Sequence, residues 1–272
     1  MGDGPAGRAA RSGSTVGPAV KPGRMDLIRA WLRTFSVQGS WNYRTLVAPG
    51  VAYALLPLLR RIHEGDPDRL ESSVLRHLDS FNTHPYLASL AVGALARLEH
   101  EGASEDEISR FRMALRGPLG TLGDRTVWAE WRPFCLLIGI TLFGLGLGAL
   151  WSAGAFLVTY NAGHLWIRVW GFRCGWREGR DIGKTLREFP FERFTDRLWP
   201  VTMFLLGAAT VLLGREVLTT SGGTGSWTLL LVAGLVAIPA FRWPNRFGRL
   251  AVGLLLAVPV IWIVLAIAGQ GW

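Results

Sequence analysis

The strongest constraint on the fold is a set of long stretches in the second half of the chain that contain no Asp, Glu, Lys or Arg. They cover residues 133–167, 198–214, 217–241 and 250–272. A helix that crosses a bilayer needs about 20 mainly apolar residues. Only 18% of all residues are charged, whereas a soluble domain averages about 25%. The pattern excludes a disordered chain and favours membrane spans over buried helices of a soluble protein.

The sequence therefore predicts an all-α integral membrane protein, with about five transmembrane helices within residues 133–272. The first stretch is too long for one span, and its glycine-rich middle (Gly144, Gly146 and Gly148) predicts a hairpin of two helices. The five predicted spans are 134–149, 151–167, 198–214, 227–241 and 250–269.

Charges in the links between these spans predict their orientation. The link 168–197 carries eight basic and five acidic residues, the link 242–249 carries three arginines and no acid, and the link 215–226 has one of each. Cytoplasmic loops carry the excess of Lys and Arg. We therefore expect the first two links, interpreted as loops, to lie inside, with the amino terminus cytoplasmic and the carboxyl terminus outside.

Residues 1–24 and 25–132 differ from this transmembrane half. The first segment is rich in Gly, Ala, Pro and Ser, has no apolar core of the kind a signal peptide needs, and is predicted to be a disordered cytoplasmic arm. Residues 25–132 carry 13 basic and 13 acidic residues in an amphipathic pattern. The apolar run 46–59 is too short to span a bilayer comfortably. We expect amphipathic and re-entrant helices on the inner face of the membrane.

Local signals divide this region into helices. Asp66 followed by Pro67 is typical of a helix start, and Ser104 with Glu107 forms a capping box. The segment 82–85 (Asn-Thr-His-Pro) predicts a break between two helices. Gly117 and Pro118 predict the end of the third helix, with 117–124 as a re-entrant turn.

Several functions are disfavoured by composition. The net charge of +9 is spread evenly along the chain, and acids interleave with the basic residues, so nucleic-acid binding is not expected. Cys135 and Cys174 are far apart and fit neither a zinc site nor a disulfide framework. No constellation of catalytic residues, metal site or cofactor site is predicted.

Four strings stand out in order along the chain. They are Gln38-Gly-Ser-Trp-Asn-Tyr43, Arg76-His-Leu-Asp-Ser-Phe-Asn-Thr-His-Pro-Tyr86, Gly117-Pro-Leu-Gly-Thr-Leu-Gly-Asp124, and the segment from Trp128 to Arg132-Pro133. Together they resemble the IID membrane subunit of the mannose-family sugar phosphotransferase system (PTS). The resemblance covers about residues 33–183.

This resemblance implies a function and a set of partners. A IID subunit pairs with a IIC subunit in the bacterial inner membrane to form a sugar channel, and the resemblance implies a trimer of IIC–IID pairs. Cytoplasmic IIA and IIB phosphocarriers supply phosphate to the entering hexose or amino sugar, and IID is not itself an enzyme. Arg44 stands where the family usually has Glu, which keeps open an alternative: a diverged scaffold that retains its IIC partner but has lost transport.

Sugar binding needs hydrogen-bonding groups and an aromatic face, and the motifs provide both. Gln38, Trp41 and Asn42 are the first predicted contacts, although an interfacial Trp next to a helix cap explains them equally well. The other predicted contacts are Asn82, Thr83, His84 and Asp124. Helix capping is the competing interpretation for Asn82 and Thr83. Asp124 at membrane depth would need a partner such as Arg125 or Arg132.

Overall fold

The computed structural model describes residues 20–189 and 191–221, with side chains up to residue 214, and these residues are almost entirely helical. A π-helical segment, Asp124–Trp131, and two short 3₁₀ turns, Thr34–Ser36 and Gly179–Asp181, complete the helical structure. The helices are α1 (Arg24–Arg33), α2 (Ala48–Ile62), α3 (Pro67–Leu78), α4 (Ala88–His100), α5 (Glu105–Gly123), α6 (Arg132–Gly144), α7 (Ala149–Glu178), α8 (Ile182–Glu188) and α9 (Phe191–Ser221).

The described residues form two compact units. The first contains the chain up to Gly123 together with Trp166–Phe189. Its central element is α4, which is buried along nearly its whole length because its residues are mostly small and apolar on every side. Helix α2 packs against α1, α3 and α4. The apolar run 46–59 thus forms part of a protein core around residues such as Leu55 and Leu58.

Glycines bring α4 and the end of α7 into backbone contact within the first unit. A Cβ atom on Gly93 would collide with the backbone of Phe172 and Trp176. On the opposite side, a Cβ atom on Gly175 would collide with the backbone of Leu90 and Ala94. Small residues allow helices to approach this closely, so this crossing depends on both glycines.

The second unit contains Asp124–Leu165 and the residues from Phe191 onward. Helix α6 packs against α9, where Gly144 lies against Leu212 and the Thr141 hydroxyl donates to the Leu205 carbonyl at 3.4 Å. The Trp131 indole packs on Gly163, where a Cβ atom would overlap the ring.

Two helical stretches among the described residues are long and apolar enough to cross a membrane: Glu105–Gly144 and Phe191–Gly214. They contain most of the predicted span 134–149 and all of 198–214. Helix α7, which holds the predicted span 151–167, does not meet the same criteria. The spans 227–241 and 250–269, like most of the predicted arm, lie outside the described residues. Within the described residues the all-α prediction is confirmed, whereas five transmembrane helices are not.

The helical hairpin within 133–167 is confirmed, with its break at 145–148, where Gly146 has a φ of +93°. The prediction of a loop at 168–197 is wrong. Helix α7 continues to Glu178, and α8 and the start of α9 follow. Apolar side chains at helical spacing, including the buried Phe172 and Ile182, make this charged segment fold as helix against the core.

The local start signals are confirmed. Asp66 accepts a hydrogen bond from the Arg69 amide at 3.1 Å, and Ser104 accepts one from the Glu107 amide at 3.2 Å. The predicted stop at Gly117 and Pro118 is wrong, because α5 continues through Pro118 to Gly123 and leads into the π-helical segment. A proline removes one backbone hydrogen bond from a helix, and burial of Leu115 and Leu119 on either side offsets that loss.

Candidate functional site

The first two of the four strings come together in the first unit, through the backbone of Phe81. Its amide donates to the Thr45 carbonyl at 3.2 Å, and its carbonyl accepts from the Val47 amide at 3.1 Å. Leu46 adopts a φ of +59° between these contacts and forms isolated bridges to Asn42 and Phe81. The loop 37–47 therefore lies beside the loop 79–87, as a site shared by both strings requires.

Asn42 holds its own loop in shape. Its side-chain oxygen accepts from the amides of Arg44 at 3.0 Å and Thr45 at 2.9 Å. Its side-chain nitrogen donates to the Thr45 hydroxyl at 2.8 Å and to the Ser40 carbonyl at 3.3 Å. This is the local bonding by which Asn stabilises turns, so the amide is already engaged while its neighbours face outward.

The exposed part of this loop offers aromatic and amide groups to solvent. Trp41 is 46% exposed and Tyr43 is 91% exposed, and their rings meet edge to face with centroids 4.8 Å apart. Gln38 is exposed on the same loop. An aromatic surface of this kind can bind the apolar side of a sugar ring, and a nearby amide can bind its hydroxyls.

Of the three predicted contacts in the second loop, one is exposed and two are buried. Asn82 is exposed, whereas Thr83 and His84 are buried. His84 Nδ1 accepts from the Tyr86 amide at 3.2 Å, and its carbonyl accepts from the amides of Leu87 and Ala88 at 3.0 Å each. His84 thus initiates α4. Its ring packs against Gly123, where no side chain would fit.

Asp124 begins the π-helical segment of the second unit, and its side chain is exposed. The predicted partner Arg125 instead forms an ion pair with Glu192 of α9, with a nitrogen–oxygen distance of 3.3 Å. Arg132 is exposed at the start of α6.

The family model for the PTS mannose/fructose/sorbose IID component matches residues 23–214, which is more than half of the chain. The chain belongs to this family. The IID match includes residues of both units and all four strings. The resemblance found from the strings alone is therefore confirmed.

Named relatives agree with the family. The mannose-specific EIID component of Escherichia coli K12 is 30% identical over 190 residues, covering 67% of this chain and 66% of the relative. The sorbose-specific EIID component of Klebsiella pneumoniae is 26% identical over 268 residues, covering 90% of this chain and 93% of the relative. The fructose permease IID component of Bacillus subtilis is 27% identical and covers 68% of each chain. The aligned segment thus spans just under two thirds of the E. coli relative.

Solved structures share the fold. One chain, described only as a membrane protein, has 27% identity and a TM-score of 0.60, and the match covers 68% of this chain and 69% of that one. Another comes from a cryo-EM structure of the mannose transporter ManYZ in complex with microcin E492. It has 22% identity and a TM-score of 0.54 and covers 92% of this chain and 97% of that one.

Sequence reasoning missed the buried arginines that hold the loops of this IID chain. Arg168 of α7 donates to the Thr34 carbonyl at 2.7 Å and lies over the rings of Phe35 and Tyr86, at 4.6 and 5.3 Å from their centroids. It connects the segment before the first loop with the end of the second. A lone arginine in a helix carries no sequence signal for such a role.

Arg112 of α5 holds the other end of the second loop. Its guanidinium donates to the carbonyls of Arg76 at 2.6 Å, His77 at 3.3 Å and Asp79 at 2.8 Å, which include the last carbonyls of α3. It also lies 5.4 Å from the ring centroid of Phe81. These contacts satisfy carbonyls that a helix end leaves without partners.

Replacing Arg112 with methionine is expected to destabilise the first unit by about 2–3 kcal/mol, because three carbonyls in buried or partly buried hydrogen bonds lose their donor. The thermal unfolding midpoint of the purified chain in detergent measures this. Arg110→Met on the same helix removes an exposed charge and should change stability by less than about 0.5 kcal/mol. Equal midpoints for the two variants would contradict the assigned role.

A second cluster that sequence reasoning missed surrounds the buried Glu99 of α4. The carboxylate accepts hydrogen bonds from the Ser73 hydroxyl at 2.8 Å and from Arg76 at 2.9 Å, and His77 Nε2 lies 2.9 Å away. His63 Nε2 lies 3.4 Å from the other carboxylate oxygen. No group of His, Cys, Asp and Glu suited to a metal ion is found among the described residues.

Two pKa shifts follow from this cluster. Burial alone would raise the pKa of the Glu99 carboxyl, but the imidazoles of His63 and His77 and the guanidinium of Arg76 hold it well below its usual range. Burial lowers the pKa of His77, and this outweighs the attraction of Glu99. The cluster therefore contains an ionised carboxylate and a neutral His77.

Proposed function

We propose that this chain is the IID subunit of a mannose-family sugar permease in the bacterial cytoplasmic membrane. In this proposal it pairs with a IIC subunit to form the sugar pathway, and the pairs assemble as trimers. Cytoplasmic IIA and IIB phosphocarriers drive uptake with phosphate from phosphoenolpyruvate. The amino terminus lies inside and the carboxyl terminus outside, and the chain itself carries no phosphate.

One observation carries the transport proposal: the two polar loops are joined through Phe81 and present Gln38, Trp41 and Asn82 on one small unit. Family membership supports it, since relatives are named for mannose, sorbose and fructose. The solved mannose transporter with the same fold supports a IIC partner. In this proposal Asn42, Thr83 and His84 shape the site from behind. A sugar-binding role of Asp124 stays a prediction.

The test is phosphoenolpyruvate-dependent uptake of labelled mannose, fructose and sorbose in cells that lack other hexose permeases. The chain is co-expressed with its IIC subunit and the IIA and IIB phosphocarriers, and omission of the chain is the control. Uptake that requires the chain supports the proposal. If all partners are present and the chain co-purifies with IIC but no sugar enters, transport is excluded and the scaffold alternative replaces it.

The aromatic face of the first loop is expected to govern affinity. Trp41→Ala should raise the KM for the transported sugar by about tenfold, because a ring contact of about 1 kcal/mol or more is lost. Uptake at a range of sugar concentrations measures this. Tyr53→Ala removes an equally exposed aromatic side chain from α2, away from the loop, and should leave KM unchanged. Unchanged KM in Trp41→Ala would remove Trp41 from the site.

A further inference from the structure

The first unit contains an apolar groove of about 370 Å³ between α1 and the end of α7. Leu27, Ile28 and Trp31 form one wall, and Val169, Phe172 and Trp176 form the other. A second groove of about 360 Å³ follows along α7, with Trp166 and Trp170 in its lining. Val169 and Arg173 line both grooves, so the two lie side by side with Arg173 between them.

Positive charge accompanies these apolar walls. Arg24 and Arg173 line the first groove with exposed side chains, and no ion pair joins either to a carboxylate among the described residues. Burial and Arg97 lower the pKa of His100, and the nearby Lys21 lowers it further. The His100 ring stacks on the ring of Trp176. Asp26, the one acid of α1, is engaged by the Gly23 amide at 3.0 Å. The charge of the groove is thus cationic.

The outer face of α1 continues the apolar surface. Met25, Ile28 and Leu32 are between 49% and 60% exposed, on a helix that also carries Arg29 and Arg33. A helix with exposed large apolar residues beside arginines is typical of one that lies in the membrane interface. This places the open side of the groove where lipid is available.

We propose that the two grooves bind one anionic phospholipid. Each groove takes one acyl chain, and the phosphate lies against Arg173 and Arg24. Two apolar grooves of nearly equal volume that share one arginine match a molecule with two acyl chains and a single anionic headgroup. A protein segment would need a polar backbone partner in these walls, and the groove linings are almost wholly apolar apart from their arginines.

The test is native mass spectrometry of the full-length chain, purified in detergent together with its IIC subunit and titrated with dioleoyl phosphatidylglycerol or dioleoyl phosphatidylcholine. The wild type should bind the anionic lipid more tightly. Arg24→Gln with Arg173→Gln should weaken phosphatidylglycerol binding by about 25-fold, from two cationic contacts. Arg29→Gln with Arg60→Gln removes the same charge outside the groove and should change binding less than about threefold.

Four further outcomes decide the proposal. Val169→Trp fills the wall shared by both grooves and should weaken binding of both lipids. Millimolar inorganic phosphate should not displace phosphatidylglycerol, since the acyl chains contribute most of the contact. Equal binding of the two lipids by the wild type would overturn the proposal. So would a photo-crosslinking residue at position 28 that couples to IIC instead of lipid, because a protein would then occupy the groove.

Discussion

Replacing Gly175 with leucine is expected to prevent the first unit from folding, so that the variant fails to accumulate in the membrane. At this position the α4 backbone fills the space of a side chain, and the Leu90 carbonyl and the Ala94 amide would collide with even a single Cβ atom. The smaller change Gly175→Ala should cost about 3 kcal/mol, in the range of overpacked cores. That corresponds to a thermal midpoint lower by roughly 10 °C.

The same helix offers a matched control. Gly154 also lies within α7, but no atom outside its helix lies within 4 Å of a Cβ built there. Gly154→Ala should raise stability by about 0.5–1 kcal/mol, because alanine favours helix over glycine. Opposite signs for one substitution on one helix would show that the crossing, and not helix propensity, requires Gly175. A Gly175→Ala variant that melts like Gly154→Ala would exclude the close crossing.

The sequence predicted those parts of the fold that depend on neighbouring residues. Asp66 and Ser104 start helices because each accepts a bond from an amide three residues later, and this spacing is visible in the chain. The predicted break at 82–85 lies between α3 and α4, because it too depends on neighbouring residues. The family also followed from short strings, because each string is a local feature.

Predictions failed where distant contacts outweigh local preference. Gly117 and Pro118 favour a helix end, yet the buried side chains around them keep α5 continuous to Gly123. The charged link 168–197 was interpreted as a loop because its apolar positions have no visible partner in the sequence. That partner is α4, about 80 residues earlier. Likewise, Arg112 and Arg168 bind backbone carbonyls, and such contacts cannot be recognised from the pattern of side chains in the sequence.

The candidate site shows the same difference between local signals and distant contacts. The motifs predicted which side chains to consider, and the structure places Asn42 in its own turn and His84 at the start of α4. Gln38, Trp41 and Asn82 are left exposed. Spacing alone could not separate the two groups, because Asn serves turns and ligands with the same atoms. Hydrogen-bond partners in three dimensions separate them.

Replacing Glu99 with alanine is expected to cost about 3–5 kcal/mol, because the buried guanidinium of Arg76 loses its main partner. Arg76 retains one exposed partner, Glu105, at 2.8 Å. The thermal midpoint in detergent should fall by about 10 °C or more. Glu101→Ala on the neighbouring surface removes a partly exposed carboxylate that pairs with Arg97, and such pairs contribute at most about 1 kcal/mol. Comparable losses for the two variants would contradict a special role for the buried carboxylate.

Stability should also depend on pH in a way that Glu99 controls. The folded state holds the pKa of Glu99 below its ordinary value of 4.5, so its contribution is fully present above pH 4.5 and is lost as the pH falls below that value. The folded state also holds His77 neutral, with a pKa below its ordinary 6.5, so stability decreases as the pH falls from 6.5. Both effects have the same sign, and the thermal midpoint should decrease steadily from pH 7 to pH 4.

A combined variant separates the charge of the cluster from its volume. Glu99→Leu with Arg76→Met replaces the buried pair with apolar side chains of similar size, and such replacements are often neutral or stabilising. We expect this double variant to recover most of the stability that Glu99→Ala loses and to show a weaker decline of the midpoint below pH 4.5. The decline that begins near pH 6.5 should remain, because His77 is unchanged.

If the double variant is as unstable as Glu99→Ala, the ion pair itself is required for the fold of α3 and α4. If its midpoint keeps the wild-type dependence below pH 4.5, another carboxylate is responsible for it.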